Sequence, residues 1–504
     1  MPKLRHSLLI LTLIACALAF AGVGCSDDSA PPSAGNNGNN DNNDNNDNND
    51  EDLVTYQRDI RPVLEANCVG CHSPGGIAPA AYDLSDGDKV RALAPLIRNS
   101  VETGRMPPWQ AQDGCNTYIA DLSLSVEKIE LLRTWTEGDM PEGDPADFAP
   151  IASPTDEVDL TPIARSPDVV AAAPERYAPN TAVPDDYRCF VVDPGLTETR
   201  YMSAFNVDVD NAAVLHHVVM FTVPGDAQTV AQLDRLEAED DAPGYTCYGG
   251  PRTSRVGVGM AWAPGSTGLI LPENVGMPIE PGTRLVVQMH YNTTAGAGDD
   301  QSAVNLWLTE AGTSPATRAR MQFIGNLPFE VPAGVNGVEA ESCGRVFIDM
   351  GDFVSASSDV ADPDDAISAY DGFDDPAVAA EIGKTGCVEM DFYFNFPIQL
   401  QMLGVGPHMH EIGQHIKVEL MPVDDSSGVA HTVDEGEQCL VDIERWDFNW
   451  QRGYGFREPV TLPSKGLIRV TCRFDNSLND EPLGLGEGTG DEMCLALVSL
   501  LSPL

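Results

Sequence analysis

Apolar and polar positions divide the chain into four textures. The first is a basic hexapeptide, MPKLRH, followed by the apolar run SLLILTLIACALAFAG and the small residues GVG before Cys25. That is the layout of an export signal over residues 1–24, and its apolar run falls short of the ~20 residues that a membrane span needs. The second texture, residues 25–52, contains SAGNNGNNDNNDNNDNNDED, which offers no core-forming side chains and is expected to be a disordered tether. The third, residues 53–148, has helical spacing. YQRDIRPVLEANC predicts a first helix, and LSVEKIELLRTWTEG repeats apolar residues at Val126, Ile129, Leu132 and Trp135. From about residue 150 the pattern changes to short β-branched runs, such as LHHVVMFTV, TRLVVQMHYNTT, SAVNLWLTE, HIKVELMPV and LIRVTCRFDNS. Gly, Pro, Asn and Asp separate them. Strands at that spacing predict β-sandwiches, and about 340 residues is too many for one. The expected architecture is therefore a small all-α domain over 53–148, a linker over 149–178, and two all-β sandwiches over 179–328 and 329–504. The acidic stretch SASSDVADPDDAISAYDGFDDPAV is expected to be an exposed insertion in the second sandwich; it lacks the ligand spacing of a calcium loop.

Charge narrows the partners. Seventy-seven Asp and Glu stand against 29 Lys and Arg, a formal net charge of −48, so nucleic acid is excluded as a partner. Of twelve cysteines, Cys16 leaves with the export signal and the others follow it, and outside the cell disulfides are the default.

Two cysteines depart from that default. NCVGCHSPGG places Cys68, Cys71 and His72 in the C-x-x-C-H spacing of covalent haem attachment, two thiols for the vinyl groups and an imidazole for the iron. A redox dithiol or a zinc half-site would use the same cysteines, but no second pair of zinc ligands follows. GRMPPW offers Met106 as the second axial ligand, with Met140 in GDMPEGD as the competing sulfur. The segment resembles small c-type cytochromes. The resemblance implies a cytochrome c-like all-α domain holding one haem c and carrying single electrons.

The histidines form a second pattern. There are nine, and five of them sit in apolar strand contexts: His216 and His217 in VLHHVVMF, His290 in VVQMHYN, and His408 with His410 in GVGPHMHEIG. Residues i and i+2 of a strand share a face, so His408 and His410 can grip one metal ion. His216 and His217 face opposite ways in a regular strand and can serve one ion only if the strand ends or bulges there. His415, His431 and His6 are left over.

From about residue 180 onward the chain resembles the copper type II, ascorbate-dependent monooxygenases, the family of peptidylglycine α-hydroxylating monooxygenase and dopamine β-hydroxylase. The landmarks run in the family's order: HH at 216–217, MAWAPG, LPENVG, QMHY around His290, HMH at 408–410, RWDFNWQRGYGF, and GTGDEMC ending in Met493 and Cys494. The resemblance implies two jelly-roll-like sandwiches facing across a cleft, each with one copper. His216, His217 and His290 would hold an electron-storing copper. His408, His410 and Met493 would hold the catalytic one, where O2 meets substrate; a thioether suits Cu(I) and has little use in a zinc site. The resemblance also implies the disulfides Cys472–Cys494 and Cys189–Cys247, while Cys115, Cys343, Cys387 and Cys439 stay unassigned. Peptide-amidating members carry an arginine where this chain has Gly406, and an asparagine and a tyrosine where it has Leu495 and Leu497.

The expected activity is hydroxylation of a C–H bond in a small or apolar substrate. Electrons would come from the haem, from ascorbate or another one-electron reductant, or from a periplasmic donor. The alternative is a copper-binding or electron-transfer protein without catalysis. GVGC resembles a bacterial lipobox, which implies lipidation at Cys25 and attachment to the cell envelope, on the outer membrane by the Ser26 rule. The lipid would be the chain's one contact with membrane.

Overall fold

A computed structural model describes residues 53–503, except 75–77, 79, 254, 265, 267, 295, 326–328, 345–393, 396–398, 428–429, 434 and 487. The expected export signal, tether and lipidated Cys25, the acidic insertion and Cys387 lie outside the described residues. No described helix is long and apolar enough to cross a membrane.

Burial along the strands explains their places. Arg284–Asn292 buries seven consecutive residues and is a central strand, paired on one side with Asp185–Val192 and on the other with Leu215–Val223. Lys465–Asp475 mixes buried and exposed positions and lies between Gly413–Asp424 and Asn336–Gly344 in a six-stranded sheet. A larger sheet of fourteen strands runs through both halves of the β region. Its connecting element is Thr317–Gly325, which pairs residue for residue with Leu495–Pro503; that strand pairs in turn with Gln401–His408. Two large apolar cores fill the sandwich sheets. One is built around Phe190, Met220, Met289 and Leu306, the other around Val405, Val418, Tyr454, Val470 and Phe474.

The expected small all-α, cytochrome c-like domain over 53–148 is corrected by the structure. The described chain consists of β-sandwich sheets with four short α-helices, and Val54–Leu504 forms one compact unit. The helical spacing was read correctly as local structure. Tyr56–Ile60 is a π-helical turn that runs into the helix Arg61–Asn67, and Val126–Glu137 buries Leu132 and Trp135 while Val126 stays 78 % exposed. With Gly87–Glu102 these pieces gather round a modest cluster of Ile60, Leu64, Val90, Leu132 and Trp135.

Between the second and third helices the chain leaves that cluster and joins the second β core. Tyr118 is buried there, and its hydroxyl donates to the Leu440 carbonyl at 3.0 Å. Gln112 N donates to Asp442 O, Ile119 N to Gly455 O, and Arg457 N to Thr117 O, each at 2.8 to 2.9 Å. Cys115 is disulfide-bonded to Cys439, two of the four cysteines that sequence left unassigned. Arg445 donates to the carbonyls of Thr103 and Gly104. Gly104 has φ 64°, which glycine adopts without strain, and a Cβ there would lie 2.5 Å from the Arg445 guanidinium and displace it. A helical pattern announces helices; it does not announce that the loop between them will lend its aromatics to a neighbouring sheet.

The Cys115–Cys439 bridge spans 324 positions, and a cross-link over so long a loop removes much unfolded-state entropy. Replacing both with serine is expected to cost about 2–4 kcal/mol in denaturant unfolding. It should also expose the 103–119 segment to limited proteolysis before the sheets are cut.

Candidate metal centre

The 215–223 strand resolves the conflict between adjacent histidines with a bulge. Leu215 faces Tyr291 and His217 faces His290, so the register shifts across His216, which has no partner in the ladder. That extra residue turns both imidazoles of the pair to one side. One ring nitrogen from each of His216, His217 and His290 lies within 4.8 Å of the others, a grouping that could hold a metal ion.

Hydrogen bonds identify the nitrogens that stay bare. His290 Nε2 is 2.8 Å from Asp185 Oδ1, so Nε2 carries the proton, and Nδ1 points at His217 Nδ1 across 3.3 Å. His216 Nε2 is buried with no hydrogen-bond partner among the described residues, the kind of orphan that a metal ion satisfies. Tyr187 stacks on His290 with centroids 4.0 Å apart and fixes its plane.

His408 ends the 401–408 strand and His410 follows at once, with ring centroids 5.1 Å apart. His410 Nδ1 lies 3.1 Å from the Asp491 carbonyl, which can only accept, so Nδ1 is protonated and Nε2 is bare. His408 Nδ1 contacts Gln451 Oε1, which leaves its Nε2 bare as well. Met493 is 6 % exposed and follows Glu492, whose carboxylate accepts from the peptide N–H groups of His410, Ile412 and Met493. The bridges Cys472–Cys494 and Cys189–Cys247 anchor, respectively, the loop of Met493 and the strand that carries Asp185.

The two groups are neighbours. The rings of His217 and His408 are 6.1 Å apart, and Phe448 lies 4.4 Å from His216 and 6.1 Å from His410. Asp185 joins them chemically, since besides His290 it accepts from the backbone and hydroxyl of Thr489, four residues before Met493.

Electrostatics keep the whole set neutral. Burial, then neighbouring imidazoles, push His216 and His408 down to about 3 and His410 to about 4. Burial likewise holds His217 well below its ordinary range, while Asp185 moderates the drop at His290. Glu492 moves up to about 7 because burial outweighs its three N–H donors. Neutral imidazoles with one nitrogen held by a protein acceptor and the other bare are ligands in waiting.

Of the residues selected from sequence, the structure groups His216, His217 and His290, and places His408 and His410 beside them with the Met493 loop abutting His410. His415 is used elsewhere, bonded to Asp442 at 2.7 Å. The C-x-x-C-H residues lie apart from the histidines. Cys68 and Cys71 are free thiols, Cys68 and Met106 pack against the same helical cluster, and His72 Nδ1 lies 3.0 Å from the Tyr82 carbonyl, which leaves Nε2 bare. Sequence reasoning missed Asp185, Gln451, Phe448, Thr489 and Glu492 as supporting groups. Gln451, Phe448, Thr489 and Glu492 sit inside segments that were singled out, but nothing in their spacing shows which atom they hold.

No family model matches this chain, and no curated protein matches it. Among solved structures, the chain is similar over 66 % of its length to 70 % of the infectious bursal disease virus VP2 subviral particle chain, at 9 % identity and TM-score 0.16. It is also similar over 67 % of its length to 97 % of the major capsid protein P2 of bacteriophage PM2, at 9 % identity and TM-score 0.21.

Two outcomes are expected. Asp185→Ala removes the group that orients His290 and tethers Thr489, so metal affinity in chelator competition should fall about 10–100-fold. For metal-free protein, the imidazoles have folded pKa values below their unfolded value of 6.5, so the unfolded chain takes up protons first as pH falls. Stability should therefore drop on acidification from about pH 6.5 toward 4. Glu492, raised above 4.5, works the other way but is one group against five. Thermal melts across pH, with and without metal, check the sign.

Proposed function

We propose that the chain is a copper-dependent monooxygenase that hydroxylates a C–H bond of a small or apolar substrate with O2. The observation that carries this reading is the gathering of five neutral imidazoles beside the Met493 loop, His290 and His410 buried and His216, His217 and His408 partly so, with His216 Nε2 left without a partner among the described residues. An all-nitrogen triad next to a two-nitrogen set, with a methionine on the loop that bonds His410, suits copper, which accepts imidazole in both oxidation states. When bound, copper would supply one-electron chemistry and a place for O2 to be reduced. Two electrons and two protons balance the reaction, with one oxygen atom entering the substrate and the other leaving as water.

The chain's own residues set the conditions. Asp185, Gln451 and the Asp491 carbonyl hold protons on the outward nitrogens of His290, His408 and His410, so the inward nitrogens face the metal sites. Gly406, which is paired with Leu497, itself offers no side chain to hold a substrate carboxylate. With Leu495 buried next to it, the surroundings favour an apolar substrate. His216, His217 and His290 are assigned to the electron-storing site and His408, His410 and Met493 to the catalytic one. Cys68, Cys71 and His72 would hold a covalent haem, with Met106 as the candidate sulfur ligand, and it would supply single electrons beside ascorbate or a periplasmic donor. Their free thiols and the bare His72 Nε2 support that assignment.

One observation favours a second reading. The approach of His217 to His408 leaves little room between the two groups for a substrate, as a copper-binding protein without catalysis would have.

Metal content of full-length, matured protein tests the ligand sets: two coppers and one haem iron per chain, falling by one copper in a His408→Ala, Met493→Ala variant. Reductant-dependent O2 uptake that rises with an apolar substrate supports catalysis. Two bound coppers without such uptake would favour the second reading, and protein that takes up no copper would end both.

A further inference from the structure

Two side chains from the half of the β region that carries His216, His217 and His290 reach into one turn of the other half. The turn spans residues 488–491 and closes on itself, with Asp491 N donating to Gly488 O at 2.8 Å and Gly488 N to Asp491 Oδ2 at 3.1 Å. Asp185 accepts from Thr489 N at 3.0 Å and from the Thr489 hydroxyl. Tyr248 takes the two ends of the turn: its hydroxyl accepts from Gly488 N at 2.9 Å and donates to Asp491 Oδ2 at 3.3 Å. The turn then leads to the second histidine group. The Asp491 carbonyl accepts from His410 Nδ1 at 3.1 Å, and Met493 follows two residues later.

The same two side chains are tied to the first group. Asp185 Oδ1 is the acceptor for His290 Nε2. Tyr187 stacks on His290 with centroids 4.0 Å apart and meets Tyr248 edge-on at 5.3 Å. Tyr248 is 48 % exposed, so water would satisfy its hydroxyl, and its bonds to the turn add little stability. Its backbone is nonetheless pinned. Cys247, the residue before it, is bridged to Cys189, and the Cys247 carbonyl accepts from Gln288 Nε2 at 2.9 Å. A rigidly mounted phenol that gains little by its bonds is suited to placing the turn.

We propose that Tyr248 is a positioning residue that, with Asp185, couples the two histidine groups, so that metal held by His216, His217 and His290 raises the affinity of the His408, His410 and Met493 group for its own. The inference rests on the ligand sets proposed above and adds an interaction between them. Metal on the bare Nδ1 of His290 would fix that ring, and with it Asp185 and Tyr187. Thr489 and Tyr248 would then be held before the second ion arrives, which leaves less of the chain for that ion to order. Linkage is reciprocal, so metal at the second group tightens the first by the same factor, about 5- to 150-fold for couplings of ordinary size.

The test uses the full-length chain and Cu(I) alone, titrated without oxygen against a competing chelator. Copper at the second group is recognised by Met493 sulfur in X-ray absorption. Its affinity is measured in the parent and in Tyr248→Phe, each with the first group intact and with it removed by His216→Ala, His217→Ala. In the parent, removing the first group should weaken the second by a factor in the stated range; in Tyr248→Phe that loss should shrink toward none. A merely structural tyrosine would weaken the second group by the same factor in both backgrounds, and that result overturns the proposal. So does a parent whose second group is indifferent to the first. If thermal melts show that the doubly substituted chain does not fold, His216→Ala alone takes its place. Parent protein that binds no Cu(I) ends the ligand assignment and the coupling with it, whereas bound copper with equal factors ends the coupling only.

Discussion

The antiparallel pairing of Thr317–Gly325 with Leu495–Pro503 is the contact on which both histidine groups depend. One edge of 495–503 holds the 401–408 strand, setting His408 opposite Leu495, two residues after Met493. On its other side 317–325 meets the 257–262 strand at Met321 and Val258, and that strand pairs with 215–223, which carries His216 and His217. Sheet hydrogen bonding therefore fixes the two groups relative to each other, without reliance on a hinge. A slip of one residue in 495–503 would turn its buried face outward and carry the Met493 loop away from His410.

The energetic tension lies at the imidazoles. Burial disfavours their charged forms, and a buried ring nitrogen without a partner costs free energy that packing alone does not return. The fold satisfies one nitrogen of His290, His408 and His410 with Asp185, Gln451 and the Asp491 carbonyl, and leaves the other bare. A core selected for stability alone would replace such residues with aliphatics. Their gathering as a cluster, with the outward nitrogens of three of them oriented, is what a ligand site requires.

Much of this was legible in the sequence, for reasons that differ from residue to residue. The strands were, because their apolar runs are short and punctuated, and His408-x-His410 was, because alternation puts both on one face. The cysteine pairs implied by the family resemblance are formed in the structure. The His216–His217 pair was legible as a conflict: regular geometry forbids what the chemistry wants, and the register shift at Leu215–His217 is how the chain resolves it. Asp185 was not legible, since one carboxylate among 77 Asp and Glu announces nothing until a neighbouring strand brings His290 to it. The all-α domain failed for a related reason. Helical periodicity reports the face a helix buries, whereas the fate of residues 103–119 was set by Tyr118, Cys115 and Gln112, none of which belongs to a helix.

Residues 445–454 draw these strands of argument together. Arg445 holds the carbonyls of Thr103 and Gly104, Trp446 donates to the His410 carbonyl, Phe448 touches His216, Gln451 holds His408, and Arg452 covers Trp109. A loop with so many long side chains pointed in two directions is expensive in conformational entropy unless both sides are rigid. The sheet supplies rigidity on one side and the Cys115–Cys439 bridge on the other. Had the helical segment been a tethered, independently tumbling unit, Arg445 and Arg452 would have had no fixed surface to meet, and a loop of this composition would be a poor solution. Its side chains make sense only if the 103–119 segment and the sheet that carries the histidine groups are held in register with each other.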